Sequence, residues 1–342
     1  MSSVLCGVCG ASAAVVFRGY PGYQHPQVFD IARCARCESS FALADGVPTA
    51  PIYEAIYRQA DRVPGYERYV GYAEAVAAQG DPLRFLAEKE APYWGVRQFL
   101  LAGLVGSDAR VLEVGSGLGY LTFALARAGF RVEGIDISAR AVETARRRFG
   151  DMFRAVDLFG HAAAHPGEYD VVVLTEVVEH LSDPYPFLRA CLALLREGGR
   201  VVISTPNRES FAPDTVWDTE APPVHLWWFT RQSFRVIASR LGCDVWFVDL
   251  SAFPGGNAWR LLYARGDPRI TRPARIDSSG NLRQHATARR SLLRRALSRA
   301  MRRVHALQES LRHRHARWQP GYRDRVSPNI VTVLTKCSGG AA

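Results

Sequence analysis

The stretch that most limits what this chain can become is RVLEVGSGLGYLTFALARAG, residues 110–129. Its first part, RVLEV, reads as a short buried strand. The strand runs into a loop holding Gly115, Gly117 and Gly119, and LTFALARAG then reads as a helix closed by Gly129. RVEGIDIS follows as a second strand ending in Asp136, with the helix ARAVETARRRF behind it. Together these make a βαβ unit. In such a unit a ligand lies over the helix N-terminus, and an acidic side chain at the end of the second strand takes a ribose.

The pattern continues downstream. RAVDLF (154–159) is a third strand with Asp157 at its end, and YDVVVLTEVVEHLSDP supplies a fourth with Glu176 through His180 at its carboxyl edge. GGRVVISTPN (198–207) is a fifth and CDVWFVDL a sixth, while NIVTVLTK (329–336) is a last strand returning antiparallel beside the sixth. The expected fold class is α/β, a doubly wound, seven-stranded Rossmann-like sheet with its ligand at the strand ends. The loop departs from a dinucleotide loop in detail. A G-x-G-x-x-G loop begun at Gly115 needs glycine where the chain has Tyr120. Glu113 stands just before the glycines, where a carboxylate repels pyrophosphate but suits an ammonium group. S-adenosylmethionine carries an ammonium, a ribose diol and no phosphate.

Seven cysteines are present, and four of them form the pairs CGVC (Cys6, Cys9) and CARC (Cys34, Cys37). Two C-x-x-C turns can place four thiolates on one Zn²⁺ in a closed, structural site; a redox pair normally uses one such motif after a strand. Cys191, Cys243 and Cys337 read as packing residues. The N-terminus has neither a basic start nor an apolar stretch of signal-peptide type, and no run is long enough to span a membrane, so the expected location is cytoplasmic.

In the order of its motifs (EVGSGLG, GIDIS, VDLF, DVVVLTEVVEHL, LLREGGRVVISTPN) the chain resembles the class I S-adenosylmethionine-dependent methyltransferases over roughly residues 96–260. That resemblance implies that Gly115 and Gly117 approach the methionine moiety, with Glu113, Ser116 and Thr175 also around the cofactor. By the same resemblance Asp136 meets the ribose hydroxyls and Asp157 the adenine amino group, with Ile137 and Leu158 against the adenine ring.

Methyl transfer needs an aligned acceptor and, where the acceptor holds a proton, a base. Candidates are Glu176, Glu179 and His180 in E-x-x-E-H, and His225 in PPVHLWWFT. The zinc-binding N-terminus resembles deoxysugar C-methyltransferases, which implies His225 as general base, although Pro222 replaces their tyrosine. A second resemblance is to metal-assisted O-methyltransferases of the ubiquinone-pathway and small-RNA-end type. It implies a divalent ion such as Mg²⁺ on Glu176, Glu179, His180 and His225. Trp217, Trp227, Trp228 and Phe229 are expected to line the acceptor pocket.

Residues 1–50 are thus a zinc ribbon, 51–95 a helical Tyr-rich lid or linker, and 96–250 the cofactor-binding domain. A basic helical insertion spans 251–326, and 327–342 hold the last strand and a tail. Leading from the lid into the main domain, PLRFLAEKEAPYWGVRQFLLAGL (82–104) reads as one helix. In the insertion, residues 286–317 form an amphipathic, arginine-rich helix within a chain of net charge +10. That helix could dock on its own domain or a homodimer partner, or touch an anionic membrane. Nucleic acid is the least supported partner, since no aromatics interleave with the arginines. The leading functional reading is methyl transfer to oxygen or carbon of a small-molecule acceptor, a sugar or other natural-product or polysaccharide intermediate. The rivals are an RNA methyltransferase and a non-catalytic binding module.

Overall fold

A computed structural model describes residues 3–44, 46–106, 108–211, 215–253, 273–283 and 327–337. The expected basic helix at 286–317 lies outside the described residues.

The N-terminal strands β1 (Ser3–Leu5), β2 (Ser12–Pro21), β3 (Val28–Cys34) and β4 (Ser40–Leu43) form an antiparallel meander. Each C-x-x-C pair occupies the region of a turn, between β1 and β2 and between β3 and β4. Four helices follow: α1 (Ala50–Arg58), α2 (Glu67–Ala75), α3 (Pro82–Lys89) and α4 (Ala91–Leu101). The single helix expected over 82–104 is therefore two. Glu90 is extended (φ −141°, ψ 144°), because Pro92 has no N–H for the carbonyl of Glu88 and its ring crowds the preceding turn.

Alternation of strand and helix then sets in: β5 (Arg110–Val114), α5 (Tyr120–Arg127), β6 (Arg131–Asp136), α6 (Ala139–Phe149), β7 (Phe153–Ala155) and α7 (Leu158–Ala164). After them come β8 (Tyr169–Thr175), α8 (Pro184–Leu194), β9 (Leu195–Pro206), β10 (Trp227–Trp228), α9 (Arg231–Leu241), β11 (Cys243–Phe247) and β12 (Asn329–Lys336). The large sheet has seven strands in the order β11-β12-β9-β8-β5-β6-β7. Pairing is parallel from β9 through β7, while β12 runs antiparallel between β9 and β11. The central strands are apolar almost throughout because helices cover both faces; in β5 every residue after Arg110 is buried. Chain order reverses between β5 and β8, and the crevice outside their carboxyl ends is where an open α/β sheet takes its ligand.

β10 does not join this sheet. It pairs antiparallel with β4 (Trp227 opposite Phe41, Trp228 opposite Ser40) and so becomes the fifth strand of the N-terminal sheet. Residues 273–283 also reach the N-terminal part: the Arg275 N–H donates to the Tyr23 carbonyl (2.8 Å), and the Gly280 carbonyl accepts from Gln59, the C-cap of α1 (2.9 Å).

Candidate active site

The glycine loop closes the gap between β5 and α5 because its residues adopt conformations that side chains resist. Gly119, the N-cap of α5, has φ 81°, and a Cβ there would lie 2.6 Å from Phe153 and 2.7 Å from Ala145. Gly117 has φ 50° and open space where its Cβ would be, so the loop presents bare backbone to the crevice. Its N–H donates to Asp136 Oδ2 (2.8 Å), and Ser138 N–H donates to Oδ1 (2.8 Å). Asp136 thus ties the end of β6 to the loop while each oxygen keeps a further lone pair. Burial raises its pKa.

Glu113 is buried and accepts a hydrogen bond from the Thr122 hydroxyl on α5. Burial pushes its carboxyl up to about 8 despite that bond, so the uncharged acid is the resting form at neutral pH. Asp157 lies past the end of β7, not within it, and caps α7 by accepting from Gly160 N–H (2.9 Å). Between the two aspartates Ile137 is 84% exposed, with Val156 and Phe159 also in solvent. Apolar side chains standing open beside a cleft fit a flat ligand ring. Val156 and Phe159 were not singled out from sequence, where each passes for strand or helix packing. Leu158 is packed in the core instead, and Ser116 is buried with no partner for its hydroxyl among the described residues.

Beyond Thr175 the chain turns sharply. Glu176 is a non-glycine residue at φ 56°, a strained backbone of the kind that gathers at functional sites. Its Oε1 accepts from Ser204 Oγ (3.1 Å) and Asn329 Nδ2 (3.3 Å), and burial brings its pKa to about 7. The following turn places Glu179 and His180 beside His225: one potential ligand atom from each lies within 4.8 Å of the others. Glu176 is not part of that group, so three of the four expected ligands converge. Glu179 is fully buried beside the Thr205 side chain, and neither of its carboxyl oxygens makes a well-formed hydrogen bond among the described residues. Burial holds its pKa well above the usual carboxylate range.

Both imidazoles are held from behind. His180 Nδ1 lies 2.6 Å from the Val224 carbonyl and 2.9 Å from the Tyr53 hydroxyl on α1. A carbonyl only accepts, so Nδ1 carries the proton and the neutral ring has its lone pair on Nε2. Burial lowers the His180 pKa, which favours that neutral ring. His225 Nδ1 is 2.5 Å from Thr219 Oγ1, and the two imidazole rings meet edge to face at 4.6 Å.

Tyrosines gather over the start of α5, directly after the glycine loop. Tyr69 of α2 stacks on Tyr120, the first residue of α5 (6.4 Å, 14° between planes), and the Tyr120 and Tyr93 hydroxyls are 2.5 Å apart. Arg68 bridges to Glu90 (2.6 Å), which also accepts from Tyr72 (2.8 Å). The tryptophans behave otherwise than expected. Adding β10 to the N-terminal sheet turns Trp227 and Trp228 to opposite faces, and both faces are covered. Trp227 stacks on Phe229 (5.6 Å), while Trp228 packs with Trp217 and Phe211. All four expected pocket residues are core.

The four N-terminal cysteines converge as their motif requires. Their sulfurs lie within 4.8 Å of one another, with Cys6–Cys37 at 3.5 Å and Cys9–Cys34 at 3.3 Å, and none is in a disulfide. This set fits a tetrahedral Zn²⁺. Among the described residues no helix is long and apolar enough to cross a membrane.

Residues 83–248 match the family model described as a methyltransferase domain. This stretch is a methyltransferase domain. A ubiquinone biosynthesis O-methyltransferase of Thiobacillus denitrificans is 42% identical over 106 residues, which is 30% of this chain and 46% of that protein. The same-named protein of Pectobacterium carotovorum is 41% identical over 115 residues, 32% of this chain and 47% of its own length. The chain thus spans about half the length of these relatives. The solved structure of a SAM dependent methyltransferase from Archaeoglobus fulgidus covers 72% of this chain and 95% of its own, at 17% identity and TM-score 0.40.

Proposed function

We propose that the methyltransferase domain binds S-adenosylmethionine over Gly115–Gly119 and Asp136 and transfers its methyl group to a hydroxyl oxygen of a small polar acceptor. The acceptor would enter between the tyrosine cluster, which would act as a roof, and the wall formed by Glu179, His180 and His225. The observation that carries this reading is the wall: a buried carboxyl group with no well-formed hydrogen bond among the described residues, beside two positioned imidazoles, next to the strand end that borders the glycine loop. O-methylation is favoured over C-methylation by the O-methyltransferase names of the relatives. A sugar or other natural-product intermediate remains the proposed acceptor class.

His225 is proposed as the base. In the tautomer that donates Nδ1–H to the Thr219 hydroxyl, the lone pair on Nε2 would take the acceptor's proton as the methyl group leaves sulfur. The Glu179 oxygens and the two imidazoles also suit a divalent ion, with Glu179, His180 and His225 as its protein ligands. Such an ion would lower the pKa of an acceptor hydroxyl. Two nitrogen donors and one carboxylate suit Zn²⁺, Mn²⁺ or Fe²⁺ better than Mg²⁺, which prefers oxygen. The test is a mass-spectrometric screen of sugars, phenols and vicinal diols with S-adenosylmethionine, seeking the gain of one methyl. Transfer only to RNA, or to nothing in the presence of each ion, would overturn the reading.

A further inference from the structure

The N-terminal ribbon and the proposed acceptor wall share a backbone. Ala42 N–H on β4 donates to the Leu226 carbonyl (2.9 Å), and Leu226 N–H donates to the Glu179 carbonyl (2.8 Å). Leu226 is the residue between His225 and β10, so one short segment belongs to both the ribbon sheet and the wall. Each cysteine knuckle is also bonded to the methyltransferase domain. The Cys37 carbonyl accepts from Thr230 Oγ1 (2.8 Å) and Ser233 Oγ (3.1 Å) at the start of α9. The Val8 carbonyl, inside CGVC, accepts from the Tyr185 hydroxyl (2.5 Å) and from Arg240 (2.8 Å). Gly7 in the same knuckle lies against the Trp227 ring, 3.2 Å from the position of a Cβ, and Trp227 in turn packs on Phe41 (5.0 Å).

The cofactor crevice is held from another side. Gly115 and Ser116 donate to the Ile135 carbonyl (2.9 and 3.0 Å), and Gly117 donates to Asp136. Those bonds involve no ribbon residue, although one apolar core extends from Cys6 and Cys37 to Val114 and Ile135.

We propose that the Cys6, Cys9, Cys34 and Cys37 cluster, loaded with its metal, is a positioning element for the acceptor wall: it fixes the Leu226 segment, and with it Glu179 and His225, without contributing to cofactor binding. The proposal rests on reading this wall as the acceptor side. The Val8 and Cys37 carbonyls are thereby bonded to the methyltransferase domain.

The full-length chain tests this through Cys9, the one half-buried member of the set, as Cys9→Ser and as Cys9→His, which keeps a Cys₃His donor set. Bound zinc, S-adenosylmethionine affinity by calorimetry, amide exchange at Leu226, and the ¹⁵N imidazole signals of His180 and His225 would be measured. Cys9→Ser is expected to lose zinc, to lose about tenfold or more of the protection at Leu226, and to shift both imidazole signals. Its cofactor affinity should stay within about threefold of the parent, and Cys9→His should restore all four readouts. Unmoved exchange and imidazole signals in zinc-free Cys9→Ser would overturn the proposal. Loss of cofactor binding together with them would also overturn it, since the ribbon would then merely hold up the whole fold. If the parent chain itself bound no S-adenosylmethionine, the methyltransferase reading would fail while the exchange and imidazole results still decided the coupling.

Discussion

Glu113 places a proton where a cation is expected. Its carboxyl titrates near 8 in the folded chain and near 4.5 when solvated, so folding favours the protonated form. The resulting stabilisation is complete below pH 4.5 and is lost as pH rises through about 8. The melting temperature of the cofactor-free chain should therefore fall across that interval. An ammonium-bearing ligand favours the ionised form, so binding S-adenosylmethionine near pH 7 should release protons. Calorimetry in buffers of different ionisation enthalpy reads that release directly, and identical heats in all buffers would mean that Glu113 does not face the ligand's charge. His225 makes a second prediction at this scale. His225→Ala should lower turnover about a hundredfold or more while cofactor affinity stays unchanged. A variant with normal turnover would move the base elsewhere.

Among the elements, the junction of β5 and α5 tolerates little change. Gly119→Ala forces a side chain into the left-handed region and against Phe153 and Ala145, so it should cost about 1–3 kcal/mol and lower the melting temperature by several degrees. Unchanged melting would mean that the loop is not built as described. This unit was fully legible in the sequence, because strand, glycines, helix and terminal Asp136 are consecutive and local physics determines each. The break at Glu90 was hidden by apolar periodicity that continues across it, although Pro92 marks the place. The tryptophans misled for a different reason. Closeness in sequence to His225 says nothing about which sheet takes Trp227 and Trp228, and pairing with β4 is a contact across most of the chain.

At the scale of the whole molecule, three parts contribute to the proposed site: the ribbon sheet through β10, the tyrosine cluster through Tyr69 and Tyr120, and the strand ends through Glu176–His180. Only the last lies on a single stretch of sequence. Which of the four candidate ligands would converge depended on the strained turn at Glu176, and no local pattern encodes it: Glu179 faces the histidines while Glu176 is held by Ser204 and Asn329. If the three-residue wall takes an ion, mixed nitrogen and oxygen donors should bind Mn²⁺ or Zn²⁺ at least about tenfold more tightly than Mg²⁺. Competition titration with His180→Gln as control checks this, and a Mg²⁺ preference would argue for an all-oxygen site elsewhere. Everything functional nonetheless depends on what fills the space above the glycines. Calorimetric titration of S-adenosylmethionine into the full-length chain and into its Asp136→Ala variant tests that most directly. Saturable one-to-one binding by the parent, weakened at least about tenfold in the variant, is the expected result. No heat of binding in the parent, or equal affinity in both, would contradict it.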